Sequence, residues 1–218
     1  YRGDFINGPD FTEQARVPDP RRMVKGHARS AMTMNFVRSL IDGGFADLHH
    51  PEYWDLGWVS QSPQSEQYQK LVQSVGDAIR FMETISGEQA HNVNRTEFYT
   101  SHEALLLPYE QAVTRQVPRQ VGWYNLSTHY PWIGMRTAQL DGAHVEYFKG
   151  IENPVGVKIS ASVSDDQIKQ LCEVLNPKNE PGKLTFIHRL GAGNVEKHLP
   201  RLIRAVQSEG ARVLWVCD

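Results

Sequence analysis

The sequence predicts a mixed α/β chain: a parallel sheet in its C-terminal part, with a pair of added helices near the N-terminus. Three observations carry this. Short apolar or β-branched runs recur at 97–101, 121–128, 154–160, 183–189 and 211–217, the length and composition of buried strands. Apolar residues at helical spacing fill the gaps between them. Before residue 97 that spacing persists over two much longer stretches. Strands alternating with helices mean parallel pairing and right-handed crossovers. These residues permit an open doubly wound sheet or part of a (β/α)8 barrel. A complete barrel takes ~250 residues, so about five strands would make an incomplete one.

Residues 1–18 read as an extended loop with turn residues at Asn7-Gly8-Pro9-Asp10. Pro18-Asp19-Pro20 opens the first helix, with Asp19 able to cap it and Pro20 suited to the first turn. Met23, Val24, Ala28, Ala31, Phe36, Val37, Leu40 and Ile41 keep helical spacing, and Gly43-Gly44 ends it. Residues 45–63 form an aromatic-containing loop. A second helix runs from about Gln64 to Ser86, with Leu71, Val75, Ile79 and Met82 on one face. Ser164-Asp165-Asp166-Gln167 is a capping box ahead of Ile168, Leu171, Cys172 and Leu175. Val195, Leu199, Leu202, Ile203 and Val206 mark a last helix, closed by Gly210. The expected organisation is a loop and helical pair over 1–96 and a partial barrel or sheet over 97–218. They form one structural domain overall, truncated at both ends: Tyr1 is no initiator Met, and Asp218 falls where a strand hands over to a loop.

Composition narrows the function. With 40% hydrophobic and 22% charged residues the chain has the make-up of a globular protein rather than a disordered one. A net charge of −2 supplies no global basic field, so neither nucleic acid nor an acidic membrane is an expected partner. The two cysteines, Cys172 and Cys217, lack any paired spacing, which fits a reducing compartment and excludes a CxxC zinc site. No stretch is apolar enough to span a bilayer.

In either parallel architecture, chemistry gathers at the C-terminal ends of the strands. Arg136, Lys158 and Arg189 fall there on three successive units, and Glu103 ends the first. Each cation taken alone could pair with a carboxylate such as Glu103, Asp141 or Asp218. Three cations in equivalent positions favour a shared anion, which Arg grips with a bidentate fork and Lys with a point charge. No GxGxxG or GxxxxGK[ST] sequence is present, which disfavours a nucleotide fold. Of the nine histidines, His102, His129 and His188 fall at strand ends and are the better site candidates. His27, His49, His50, His91 and His198 read as solvated, and His144 as a helix residue. No HExxH or similar spacing points to a metal held by this chain alone.

Several segments match one family in order. Tyr1-Arg2-Gly3-Asp4 with Asn7-Gly8 resembles YRGDxxNG, and Pro18-Asp19-Pro20-Arg21-Arg22-Met23 resembles PDPxRM. Thr100 to Leu107 reads TSHEALLL. Trp132-Ile133-Gly134 with Arg136-Thr137, then Gln139-Leu140-Asp141-Gly142-Ala143-His144, is similar to WIGERTRQLDGAH. Asn153 to Lys158 resembles NPxGVK. Leu175-Asn176-Pro177, Glu180 to Thr185 and Arg189-Leu190-Gly191-Ala192 continue the series, and Trp215-Val216-Cys217-Asp218 resembles a strand that the family continues into PMHGNT. The chain thus resembles the class II (plant-type) 3-deoxy-D-arabino-heptulosonate 7-phosphate (DAHP) synthases over nearly its whole length, as an internal piece.

The resemblance implies a (β/α)8 barrel and a transferase of the shikimate pathway, which makes chorismate and the aromatic amino acids. It implies condensation of phosphoenolpyruvate with erythrose 4-phosphate to DAHP and phosphate. Arg136, Lys158 and Arg189 would hold the phosphate and carboxylate of phosphoenolpyruvate, with Glu103 in the same mouth. A divalent metal, Mn²⁺, Co²⁺ or similar, would polarise the aldehyde, its ligands lying outside residues 1–218. The resemblance further implies a homo-oligomer, an aromatic amino-acid effector acting through the added helices, and a cytoplasmic location (plastid if the source is a plant). The isolated piece is expected to be inactive. Two departures stand out: Met135 replaces a Glu before the active-site Arg, and Lys158-Ile159-Ser160-Ala161 replaces VKxGP. They leave open a divergent non-catalytic or regulatory homologue, or a secondary-metabolism synthase of altered activity.

Overall fold

The computed structural model describes residues 5–45, 57, 60–86 and 97–218. Tyr1–Asp4, most of the 45–63 loop, His49, His50 and His91 lie outside the described residues. The chain divides into two compact units, Tyr1–Phe98 and Tyr99–Asp218.

In the first unit, the predicted 1–18 loop contains a short helix, α1 (Glu13–Arg16). Thr12 makes it possible, its hydroxyl accepting the Ala15 N–H at 3.2 Å. The predicted long helices follow as α2 (Arg21–Asp42) and α3 (Ser65–Ser86). Pro20, not Asp19, holds the N-cap position of α2 and offers it no side-chain bond, while Asp19 just before it accepts the Arg21 N–H at 3.1 Å. Gly44, at φ +84°, adopts the left-handed turn that ends the helix, its N–H donating to Ile41 O at 3.0 Å. Both helices leave large apolar side chains exposed, Met32 and Phe36 on α2 and Leu71, Met82 and Ile85 on α3.

The second unit runs β1 (Ser101–Glu103), α4 (Leu107–Ala112), β2 (Thr114–Arg115), β3 (Tyr124–Asn125) and β4 (Tyr130–Ile133). After β4 come α5 (Ala143–Lys149), β5 (Val155–Ile159), α6 (Asp165–Leu175), β6 (Leu184–His188), α7 (Val195–Ser208) and β7 (Val213–Cys217). The main sheet has the order β1-β4-β5-β6-β7, every pairing parallel. The last three strands lie within their predicted ranges.

The first two differ. The run at 97–101 becomes strand only at Ser101, because pairing starts where Tyr130 comes alongside. The run at 121–128 supplies no strand of the main sheet: Tyr124–Asn125 instead pairs antiparallel with Thr114–Arg115 in a separate two-stranded sheet. Asn125, 1% exposed, is held there by reciprocal bonds with Asn153, at 2.8 Å to its N–H and 3.0 Å to its carbonyl. The true second strand holds Pro131, a residue that argues against a central strand. It is tolerated because pairing with β5 begins one residue later, at Trp132 opposite Gly156.

The strand order decides between the two architectures. Each new strand adds beside the last, with no switch point, and the helices cover one face. Ile133, Val155, Val157, Ile159, Leu184 and Phe186 pack against Val145 and Phe148 of α5, Leu171 of α6 and Leu202 of α7 in one buried cluster. Residues in parallel register share a face, and successive residues alternate. The opposite face therefore carries Tyr130, Trp132, Gly156, Lys158, Thr185, Ile187, Leu214 and Val216. A single-layered sheet of consecutive units is part of a (β/α)8 barrel, with this second face as the barrel interior.

Gly156 is required on that interior face. A Cβ there would lie 2.9 Å from Tyr130 Cζ and 3.0 Å from Ile187 Cδ1, inside a buried layer. Gly156→Ala is expected to cost about 1–3 kcal/mol through overpacking, read by denaturant unfolding of the purified protein; an unchanged midpoint would refute the crowding. Cys172 is buried and Cys217 exposed, and burial pushes the Cys172 thiol up to about 12. A thiol reagent at pH 8 should therefore label Cys217 quickly and Cys172 only after denaturation.

Candidate functional site

The C-terminal edge of the main sheet gathers five charged side chains. Glu103 is the last residue of β1. Arg136 sits in a 3-10 turn, Met135–Thr137, just beyond β4. Lys158 is the penultimate residue of β5, and Arg189 and Asp218 directly follow β6 and β7. The edge placement of the three cations thus matches the sequence prediction, even though the strand leading to Arg136 is a different one.

Lys158 lies on the interior face with its side chain only 19% exposed. Its ammonium donates to Asp218 Oδ1 at 2.7 Å and stands 5.6 Å from the Trp132 ring centroid. Arg189 Nε lies 3.3 Å from the other oxygen, Oδ2. One carboxylate therefore bridges both cations, the ordinary pairing that the sequence left open for each. The hydrogen bond from Lys158 holds the Asp218 carboxyl below its usual range; partial burial opposes it, and the charges of Lys158 and Arg189 add to it. Arg189 is otherwise open, with 63% of its side chain exposed. Its own N–H donates to Ile159 O at 2.8 Å, which fixes its backbone beside β5.

Glu103 reaches the Arg136 turn through Gly134. A Cβ at Gly134 would lie 2.9 Å from Glu103 Cδ, so the carboxylate rests directly on that backbone. The turn is held by Thr137 N–H to Gly134 O at 3.0 Å and by Gln139 Nε2 to Arg136 O at 2.8 Å. The two departures from the family pattern meet here: Met135, Lys158 and Ser160 line one cavity of about 240 Å³.

Trp132 is the site residue that the sequence did not single out. Its indole Nε1 is buried without a hydrogen-bond partner among the described residues. Period-two alternation from Tyr130 would have put it beside Lys158, had Pro131 not masked the strand. The histidine candidates fare worse. His102 and His188 pair in register with Pro131 and Ile159, on the helix-facing side of the sheet. His129 precedes β4 and its Nδ1 accepts the Thr100 N–H at 3.1 Å. No group of three His, Cys, Asp or Glu side chains among the described residues could hold a metal ion.

Comparison with known proteins places the chain as a whole in a family. Residues 1–218 match the model of the Class-II DAHP synthetase family. A phospho-2-dehydro-3-deoxyheptonate aldolase of Streptomyces coelicolor is 44% identical over 218 residues, all of this chain and 48% of the relative. One from Neurospora crassa is 43% identical over 234 aligned positions, again all of this chain and 48% of the relative. The chain spans about half the length of these curated relatives. With a match along its whole length, the chain belongs to the class-II DAHP synthetase family.

Proposed function

We propose that this chain supplies the phosphoenolpyruvate-binding wall of a 3-deoxy-7-phosphoheptulonate synthase. The whole protein would join phosphoenolpyruvate to erythrose 4-phosphate with uptake of one water, giving DAHP and phosphate. The observation that carries this reading is the clustering of Arg136, Lys158 and Arg189 on one sheet edge, in a chain of this family. Phosphoenolpyruvate bears a phosphate ester and a carboxylate on one carbon, C2. Two arginine forks and an ammonium match that pair of anions and neutralise their charge. Held there, the enol phosphate is fixed in orientation for attack by its C3 on the aldehyde; water adds at C2, and the cations stabilise the phosphate that then leaves from C2. The Trp132 N–H, without a partner among the described residues and on a ring that neighbours Lys158, supports the same reading, because a buried donor without a partner is costly until an oxygen meets it.

In this reading Asp218 keeps Lys158 and Arg189 together when no substrate is bound. Met135 puts a thioether where the family has a carboxylate, so the cavity it shares with Lys158 lacks that charge. A divalent metal belongs to the proposal, with ligands from outside residues 1–218; the residues of this chain bind and orient the anionic substrate. The exposed apolar stripes of α2 and α3 suit a homo-oligomer and an aromatic effector.

Arg136→Ala, Lys158→Ala and Arg189→Ala, made in the full-length protein, should each lower kcat/KM for phosphate release roughly 100-fold. Near-normal rates in all three would refute the site. The Asp218 bridge should fail in acid. A carboxyl with a lowered folded-state pKa stabilises above its unfolded value, near 3.9, and loses that contribution as pH falls through the folded value. Native protein should therefore melt above Asp218→Asn at pH 6, and the gap should close toward pH 3. A gap that persists unchanged would count against the bridge.

A further inference from the structure

Behind the site lies a carboxylate that the proposed reaction does not use. Glu110 of α4 is 2% exposed. Its Oε1 faces His102 Nε2 at 2.9 Å, and its Oε2 accepts from Asn125 Nδ2 at 2.6 Å. Asn125 Nδ2 also reaches Tyr147 Oη at 3.0 Å, and Tyr147 Oη meets Thr114 Oγ1 at 2.8 Å. A buried carboxylate is expensive unless its oxygens are met. Here they are met, and the grip falls on β1.

Within β1, His102 points to the helix side and Glu103 to the interior, as their register with Pro131 and Trp132 requires. Whatever fixes His102 also fixes Glu103 one residue on. Glu103 in turn presses on Gly134, two residues before Arg136. The three-residue strand has little ladder of its own to hold it. We infer that Glu110, acting through His102, is a positioning residue that sets the Glu103–Gly134 contact and hence the placement of Arg136 for the anion. The inference rests on the phosphoenolpyruvate reading of the site.

The test uses the full-length protein, with phosphoenolpyruvate affinity measured by calorimetry and DAHP formation measured separately. Glu110→Ala should weaken phosphoenolpyruvate binding at least tenfold and raise its KM to match, while kcat changes less than threefold. Glu110→Gln, which keeps the shape and one acceptor, should recover most of the loss. Thr114→Val cuts the same network on the side away from β1; it should lower the melting temperature and leave affinity within twofold. His102→Leu, at a one-third-exposed side chain, reads the same link should Glu110→Ala fail to fold. If Glu110→Ala or His102→Leu lowers the melting temperature yet leaves affinity within twofold, Glu110 is only structural and the inference falls. Intact phosphoenolpyruvate binding without DAHP formation would instead sink the proposed reaction and leave the positioning role standing. No phosphoenolpyruvate binding by the unmodified protein would overturn both.

Discussion

Lys158, Ile187 and Val216 stand in register across β5, β6 and β7. Paired residues of a parallel sheet point the same way, so this row shares one face, and the next residue of each strand takes the other. That alternation divides the unit's labour. One face, with Val157, Ile159 and Phe186, is sealed by α5, α6 and α7 and supplies cohesion. The other keeps Trp132 and Lys158 and is free to meet a ligand. A slip of one residue in β5 would bury the ammonium among apolar helices and turn a core side chain outward. The placement of charge thus depends on the register, and the register on the apolar face.

Electrostatics finishes what the register begins. Three cations on one edge repel each other unless something lies between them. Asp218 does so for Lys158 and Arg189, at 2.7 and 3.3 Å. Because it joins residues of β5 and β6 to the end of β7, this small interaction also ties three strands at their C-terminal ends. Below, Lys183 plays a comparable part at the opposite edge, donating to the carbonyls of Ile151 and Asn153 at 2.7 Å each. Burial lowers its pKa, opposed by the nearby charges of Glu152 and Glu180.

Much of this was legible in the residues. The three long apolar runs became β5, β6 and β7 because their composition leaves no other use for them. Ser164 does cap α6, its hydroxyl accepting the Gln167 N–H at 3.1 Å. The edge position of Lys158 and Arg189 followed from strand ends, whereas that of Arg136 was expected from the run at 121–128 and comes instead from β4. What stayed hidden was tertiary. Pro131 disguised β4, because only the late start of β5 pairing excuses the missing N–H. Tyr124–Asn125 has strand composition, yet a side-chain exchange with Asn153 draws it into a two-residue ribbon instead. His102 and His188 sit at strand ends as expected, but the face they occupy is a matter of register, which sequence position does not reveal. The bridging role of Asp218 could be listed among alternatives and not selected, since it depends on two other strands.

The regular strand order has a kinetic side. Ser101 pairs with Tyr130, Val155 with Leu184 and Leu184 with Val213, each 29 residues apart. Every added strand closes a loop of similar length, so no single step carries an outsized entropic cost, and the contacts stay short in sequence. A chain emerging from the ribosome can thus extend its sheet one unit at a time. The anion edge would be assembled in the same order: Arg136 arrives with β4, Lys158 with β5 and Arg189 with β6. Until Asp218 comes last, with β7, the cations stand without the carboxylate that links two of them.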